Sequence, residues 1–130
     1  MRQIDFRAWD TQVKAMYDVD SIDFVSGEVI ARDAHGDNEI SLTYYELMQS
    51  TGLRDKNGKE IYEGDVVRLE PAAYHDLKTT VGEIVWDLSE ARFVISEIGS
   101  PHIFSVTKTY AHWLEVLGNK YEHPKLFKDI

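Results

Sequence analysis

Between Met48 and Val67 the chain carries a dense set of turn signals: Gly52, Asp55-Lys56-Asn57-Gly58-Lys59 and Glu63-Gly64-Asp65. A segment punctuated this often has room for short extended strands and none for a long helix. Asn57-Gly58 supplies two residues that tolerate positive φ, the backbone that a tight hairpin turn requires. Ile61 and Tyr62 lead into the Glu63-Gly64-Asp65 turn, and Val66-Val67-Arg68-Leu69 begins the next strand. Just upstream the pattern is ambiguous. Tyr44, Leu47 and Met48 stand at helical spacing, while Thr43, Tyr44 and Tyr45 favour a strand. The expectation over Thr43 to Gln49 is a short helix or irregular turn.

Both flanks read as β. Ile4, Phe6 and Ala8 alternate with Asp5, Arg7 and Trp9, the period of a strand. Met16 to Val19 suggests a second strand. Ile22 to Val25 and Glu28 to Ala31 flank Ser26-Gly27 as a hairpin, and Ile40 and Leu42 start another extended segment. Asp33 to Asn38 and Pro71 to Thr80 are polar loops. In the second half, Val66 to Leu69, Val81 to Trp86, Arg92 to Ile98, His102 to Thr107 and His112 to Leu117 are strands at the spacing of a small barrel or rolled sheet. Pro124 opens a helical turn reaching Phe127. A chain of 130 residues makes one domain or two small lobes. No internal repeat is visible.

Charge and missing residue types exclude several functions. Lys plus Arg number 14 and Asp plus Glu 23, a net charge of −9. Asp18, Asp20, Asp23, Glu28, Asp33, Asp37 and Glu39 concentrate that excess, opposed there by Arg32. A phosphate backbone repels such a chain at long range, which disfavours nonspecific nucleic-acid binding. There are no cysteines, so disulfides, thiolate metal sites and thiol nucleophiles are absent. With no secretory-signal pattern and charges breaking every apolar run, the expectation is a cytoplasmic protein without a membrane anchor.

No motif for chemistry appears. His35, His75, His102, His112 and His123 are scattered singly, so no metal is expected. Asp18, Asp20 and Asp23 lack the glycine of a calcium loop. There is no nucleophile elbow and no phosphate loop. Glu60, Glu63 and Asp65 cluster, but turn and strand needs account for them. We therefore expect no cofactor and no catalytic residue. Core packing is expected of Trp86 and Trp113; Trp9 and Tyr62 are candidates for protein contact. The candidate interaction residues are Trp9, Asp20, Asp23, Tyr62, Glu63 and Asp65.

Three segments together resemble the YopX family of phage and prophage proteins. They are Phe6-Arg7-Ala8-Trp9-Asp10, the run Met48 to Val67, and Leu114-Glu115-Val116-Leu117-Gly118-Asn119-x-Tyr121-Glu122-x-Pro124-x-Leu126. They touch both ends and the centre of the chain. Departures are slight, with Arg54 in place of the usual Lys and Leu117 in place of Ile. Val13 to Ile40 and Pro71 to Ile103 show no match. The resemblance implies a mainly β fold with minor α, an N-terminal β-rich segment followed by an SH3-like small β-barrel, and it is compatible with homo-oligomers. It carries no defined activity and no catalytic residue. Glu63-Gly64-Asp65-Val66-Val67 also looks like the entry to other SH3-like barrels. The expected divisions are 1–57, 58–123 and a tail or helical turn at 124–130.

The leading functional expectation is a non-enzymatic phage accessory protein that self-assembles and contacts a host or phage protein. The alternative is a nucleic-acid-associated regulator, or an acidic mimic that binds a host DNA-binding protein. A small hydrolase is a third reading, requiring a pocket with two carboxylates or a metal.

Overall fold

The computed structural model describes residues 4–33, 36, 38–70 and 79–127. Residues 71–78 of the expected polar loop, together with His35, Asp37 and His75, lie outside the described residues. The chain is mainly β and divides into two compact units, Met1–Gln49 and Ser50–Ile130.

The first unit contains β1 (Phe6–Asp10), β2 (Ala15–Ile22), β3 (Val29–Arg32), β4 (Glu39–Leu42) and the first half of β5 (Tyr45–Arg54). They pair antiparallel in the order β4-β3-β2-β1-β5, the part of a six-stranded sheet that lies in this unit. The outer strands of this part, β4 and β5, are consecutive in the chain, joined only by Thr43 and Tyr44. Two linking residues span at most about 11 Å. The edges of a flat five-stranded sheet would stand about 19 Å apart. The ladders add a stagger, because Leu42 lies level with Val29 and Ile22, whereas Tyr45 lies level with Asp10 and Ala15. Only a rolled sheet with tilted strands meets both constraints, although no ladder joins β4 to β5.

Rolling gives the sheet an inside. Ala8, Val29, Ala31 and Leu42 are buried there, with Tyr17, Val19, Ile22, Ile40 and Tyr45 packed around them. Two bonds fasten the link. The Thr11 amide donates to the Tyr44 carbonyl at 3.1 Å, and the Tyr45 hydroxyl donates to the Gly27 carbonyl at 2.6 Å.

Thr43 to Gln49 is not helical. Tyr45 to Gln49 pairs antiparallel with β1, with Leu47 opposite Ala8 and Met48 opposite Arg7. The helical spacing of Tyr44, Leu47 and Met48 is coincidental. Pairing with β1 satisfies the backbone groups that a helix would have satisfied internally.

The second unit repeats the same order with different residues. The second half of β5 pairs with β6 (Glu60–Tyr62). Strands β7 (Asp65–Leu69), β8 (Thr80–Asp87), β9 (Arg92–Glu97), β10 (Ile103–Ser105) and β11 (Leu114–Asn119) form a second antiparallel sheet, ordered β10-β9-β8-β7-β11. In both units four strands meander and the fifth returns beside the first. Here the return passes through a short helix, α1 (Lys108–Ala111), capped by the Thr107 hydroxyl, which accepts the Tyr110 amide. These five strands are those expected from the sequence, but the sheet is open, with no ladder between β10 and β11. A 3₁₀ turn at Pro124–Phe127 follows, at the position Pro124 indicated.

The second core gathers Ile61, Val67, Leu69, Ile84, Ile95, Ala111 and Leu114. At its edge Arg68 and Glu115 stand opposite each other on β7 and β11 and form an ion pair.

Candidate interaction surface

Three polar residues of the central and C-terminal family-like segments, Asp55, Asp65 and Asn119, hold backbone. Asp55 is only 5% exposed. Its Oδ1 accepts the Asn57 and Lys59 amides, both at 2.9 Å. Its Oδ2 accepts the Val116 amide on β11 at 2.9 Å. One carboxylate thus closes the β5–β6 hairpin and fastens it to β11, helped by the Lys56 amide donating to the Leu114 carbonyl. Gly58 has φ of 82°, which the Asn-Gly turn requires.

Asp65 is buried, and its Oδ2 accepts the Tyr62 amide at 2.8 Å. In the same turn the Gly64 amide donates to the Ile84 carbonyl, while the Gly64 carbonyl accepts the Lys120 amide. Near the C-terminus, Asn119 Oδ1 accepts the Tyr121 and Glu122 amides. These acceptors do structural work, and Asp65 offers no surface to a partner. Tyr62 and Glu63 are half-buried beside it.

In the first unit, Trp9 is half-buried on β1, level with Met16 of β2 and Glu46 of β5. Asp20 pairs with Arg32 at 2.6 Å, and Arg32 also approaches Glu39 at 3.7 Å. Asp23 organises the β2–β3 turn. Its Oδ1 accepts the Val25 amide at 2.9 Å and the Ser26 amide at 3.2 Å. Its carbonyl accepts the Gly27 amide, and its own amide donates to the Glu28 carbonyl.

The Val25 amide, then the Ser26 amide and hydroxyl, hold the Asp23 carboxyl below its ordinary value of 3.8. A depressed carboxylate adds stability that is present above its unfolded value and lost as pH falls through its folded value. The turn is therefore expected to stay ordered above about pH 4 and to loosen in stronger acid. Amide exchange at Val25 and Ser26 should accelerate over that acid range. Flat protection throughout would mean that the carboxylate does not hold the turn.

The expected hairpin around Ser26-Gly27 exists, but Phe24 and Val25 lie in its turn rather than in a strand. They are 86% and 99% exposed. An aspartate two and three residues before the amides it caps, followed by Gly27 at φ of 78°, is the local signal for this placement.

Trp86 and Trp113 are not core residues, contrary to expectation. They are 42% and 44% exposed. Trp86 shares the face of Ile84 but occupies the last rung but one before the β8–β9 turn, beyond the closed part of the core. It meets Phe93 edge to face, with ring centroids 4.8 Å apart. Trp113 immediately precedes Leu114, whose side chain fills the core, so the indole is directed outward. With Lys108, Thr109 and His112 it lines an open groove of about 510 Å³ on α1 and the turn after it.

Among the described residues no three His, Asp or Glu side chains are placed to hold a metal ion. No helix there is long and apolar enough to cross a membrane.

The family model for YopX protein matches residues 5–128. The chain belongs to the YopX family. Its architecture is similar to two solved structures of such size. Protein EF1440 from Enterococcus faecalis is 26% identical, with a TM-score of 0.64, covering 98% of this chain and 99% of that one. Protein yopX from Bacillus subtilis is 19% identical, with a TM-score of 0.61, covering 97% and 98%. No curated protein matches. The likeness spans both units, and two of the three family-like segments contain the hydrogen-bonded turns at Asp55, Asp65 and Asn119.

Proposed function

We propose that this YopX-family chain is a phage-encoded accessory protein that acts in the bacterial cytoplasm through protein contacts, self-assembles and has no chemistry of its own. One contrast carries the reading. The buried acceptors Asp55, Asp65 and Asn119 are committed to backbone, whereas Phe24, Val25, Leu88, Trp86 and Trp113 present apolar surface to solvent. Exposed aromatic and aliphatic side chains beside charged ones are the composition of contact surfaces. Trp9, Asp20, Asp23, Tyr62 and Glu63 join this reading as contact or contact-supporting residues; Asp65 joins it only by shaping the Tyr62-Glu63 turn. The SH3-like description of the second unit is supported by its five strands, with the fifth returning beside the first after α1.

The acidic-mimic alternative draws on Asp18, Glu28 and Glu39, exposed in the first unit. Pairing of Arg32 with Asp20 and Glu39 neutralises part of that surface, so protein contact through apolar groups ranks first. Light scattering over a concentration series tests the proposal. The expected mass is a multiple of 15.0 kDa that rises with concentration. A constant 15.0 kDa would sink the self-assembly reading.

A further inference from the structure

We propose that the groove lined by Lys108, Thr109, His112 and Trp113 receives the Phe24–Val25 turn of a second copy of this chain. The proposal rests on the self-assembly reading above and names the two surfaces that meet.

The turn is built to project. Phe24 and Val25 are almost wholly solvent-exposed, yet the backbone beneath them is tightly bonded. Asp23 accepts two amides, Glu28 donates its amide to the Ser26 hydroxyl at 3.2 Å, and the Gly27 carbonyl receives the Tyr45 hydroxyl. A turn held this way loses little conformational freedom on docking, which favours binding.

The groove has complementary chemistry. Trp113 supplies an aromatic wall for Phe24. Lys108 supplies a positive charge and His112 an imidazole that can hydrogen-bond, and no carboxylate lines the groove among the described residues. The turn brings acids with it: Asp23 at its start and Glu28 at its end. An apolar centre flanked by opposite charges on the two sides gives both affinity and orientation. The same acids disfavour an anionic lipid surface as the occupant.

The turn and the groove are different patches, so their union is heterologous. A bound pair still offers one free turn on one copy and one free groove on the other, and assembly proceeds to a ring or a filament rather than stopping at a two-fold dimer. This asymmetry gives a test that a misfolded variant cannot imitate. One variant, Phe24→Ser with Val25→Ser, loses the turn contact and keeps the groove. Another, Lys108→Glu with Trp113→Ala, loses the groove and keeps the turn.

Each variant alone is expected to run as a monomer, with association weakened about tenfold or more, as truncating a central aromatic contact does. Mixed, they retain one intact turn and one intact groove, and are expected to form a complex of one chain each by light scattering. A Glu28→Lys, Lys108→Glu double variant is expected to regain association that Lys108→Glu alone has lost. Wild-type mass persisting in both variants would overturn the proposal while leaving self-assembly intact. Monomeric variants that stay monomeric on mixing would also overturn it. A wild-type chain that is monomeric at every concentration would overturn this proposal and the self-assembly reading together.

Discussion

Asp55→Ala is expected to lower the stability of the second unit by roughly 3–4 kcal/mol, read as a shift of its urea midpoint. The carboxylate accepts three amides, two inside the Asn57-Gly58 hairpin and one on Val116, sixty-one positions further along the chain. Bonds to a charged acceptor are each stronger than neutral ones, and removing the acceptor leaves buried donors without a partner. Asp55→Asn keeps one oxygen acceptor and puts an amide group where the other stood. It should recover part of the loss, because the oxygen can serve either the hairpin or Val116 but not both. If alanine and asparagine cost the same small amount, under about 1 kcal/mol, Asp55 is only a surface turn residue and its role in joining hairpin to β11 is wrong.

Gly82→Ala is expected to cost about 1–3 kcal/mol, the range for forcing added volume into a filled site. A Cβ at Gly82 would lie 2.5 Å from Ile95 Cγ2 and 2.7 Å from the Ser96 carbonyl oxygen. The first contact is with a core side chain and the second with backbone of the paired strand β9, so neither neighbour can swing aside. The strand itself must move, which disturbs the rung from Gly82 to Glu97 and the packing of Ile95. Gly58→Ala differs in kind. Open space surrounds its Cβ, and its cost comes from a φ of 82° instead. The two variants separate crowding from backbone strain. Ile95→Ala removes Cγ2, so against that background the added cost of Gly82→Ala should shrink, while the added cost of Gly58→Ala should stay unchanged. Failure of that relief would place the clash on the Ser96 carbonyl alone.

The turns were the legible part of this protein. Asn57-Gly58, Glu63-Gly64-Asp65 and the Pro124 turn lie where glycine, proline and short acids put them, because their conformational demands are local. Alternation around Ile84 marked a core strand for the same reason: it needs only one buried face. Where an element depended on a distant partner, local pattern misled. Tyr44, Leu47 and Met48 had helical spacing, but β1 supplied hydrogen-bonding partners and made the segment a strand. Trp86 and Trp113 had the right residue type for a core and the wrong positions, one near a hairpin end and one facing away from Leu114. Phe24 and Val25 read as strand residues because their hydrophobicity outweighed the Asp23 turn signal.

The amino-acid sequence by itself determined a β-rich chain of short strands, the family, and the absence of recognised catalytic motifs. Those properties follow from glycine and asparagine backbone preferences, two-residue periodicity and side-chain chemistry, all carried within a few residues. Only the tertiary structure decided that each unit brings its fifth strand back beside its first. It also placed the Asp55 carboxylate on Val116 and left Phe24, Val25 and Trp113 facing solvent. These outcomes depend on which distant backbone closes each ladder and how far each core extends, and no local run of residues encodes that distance.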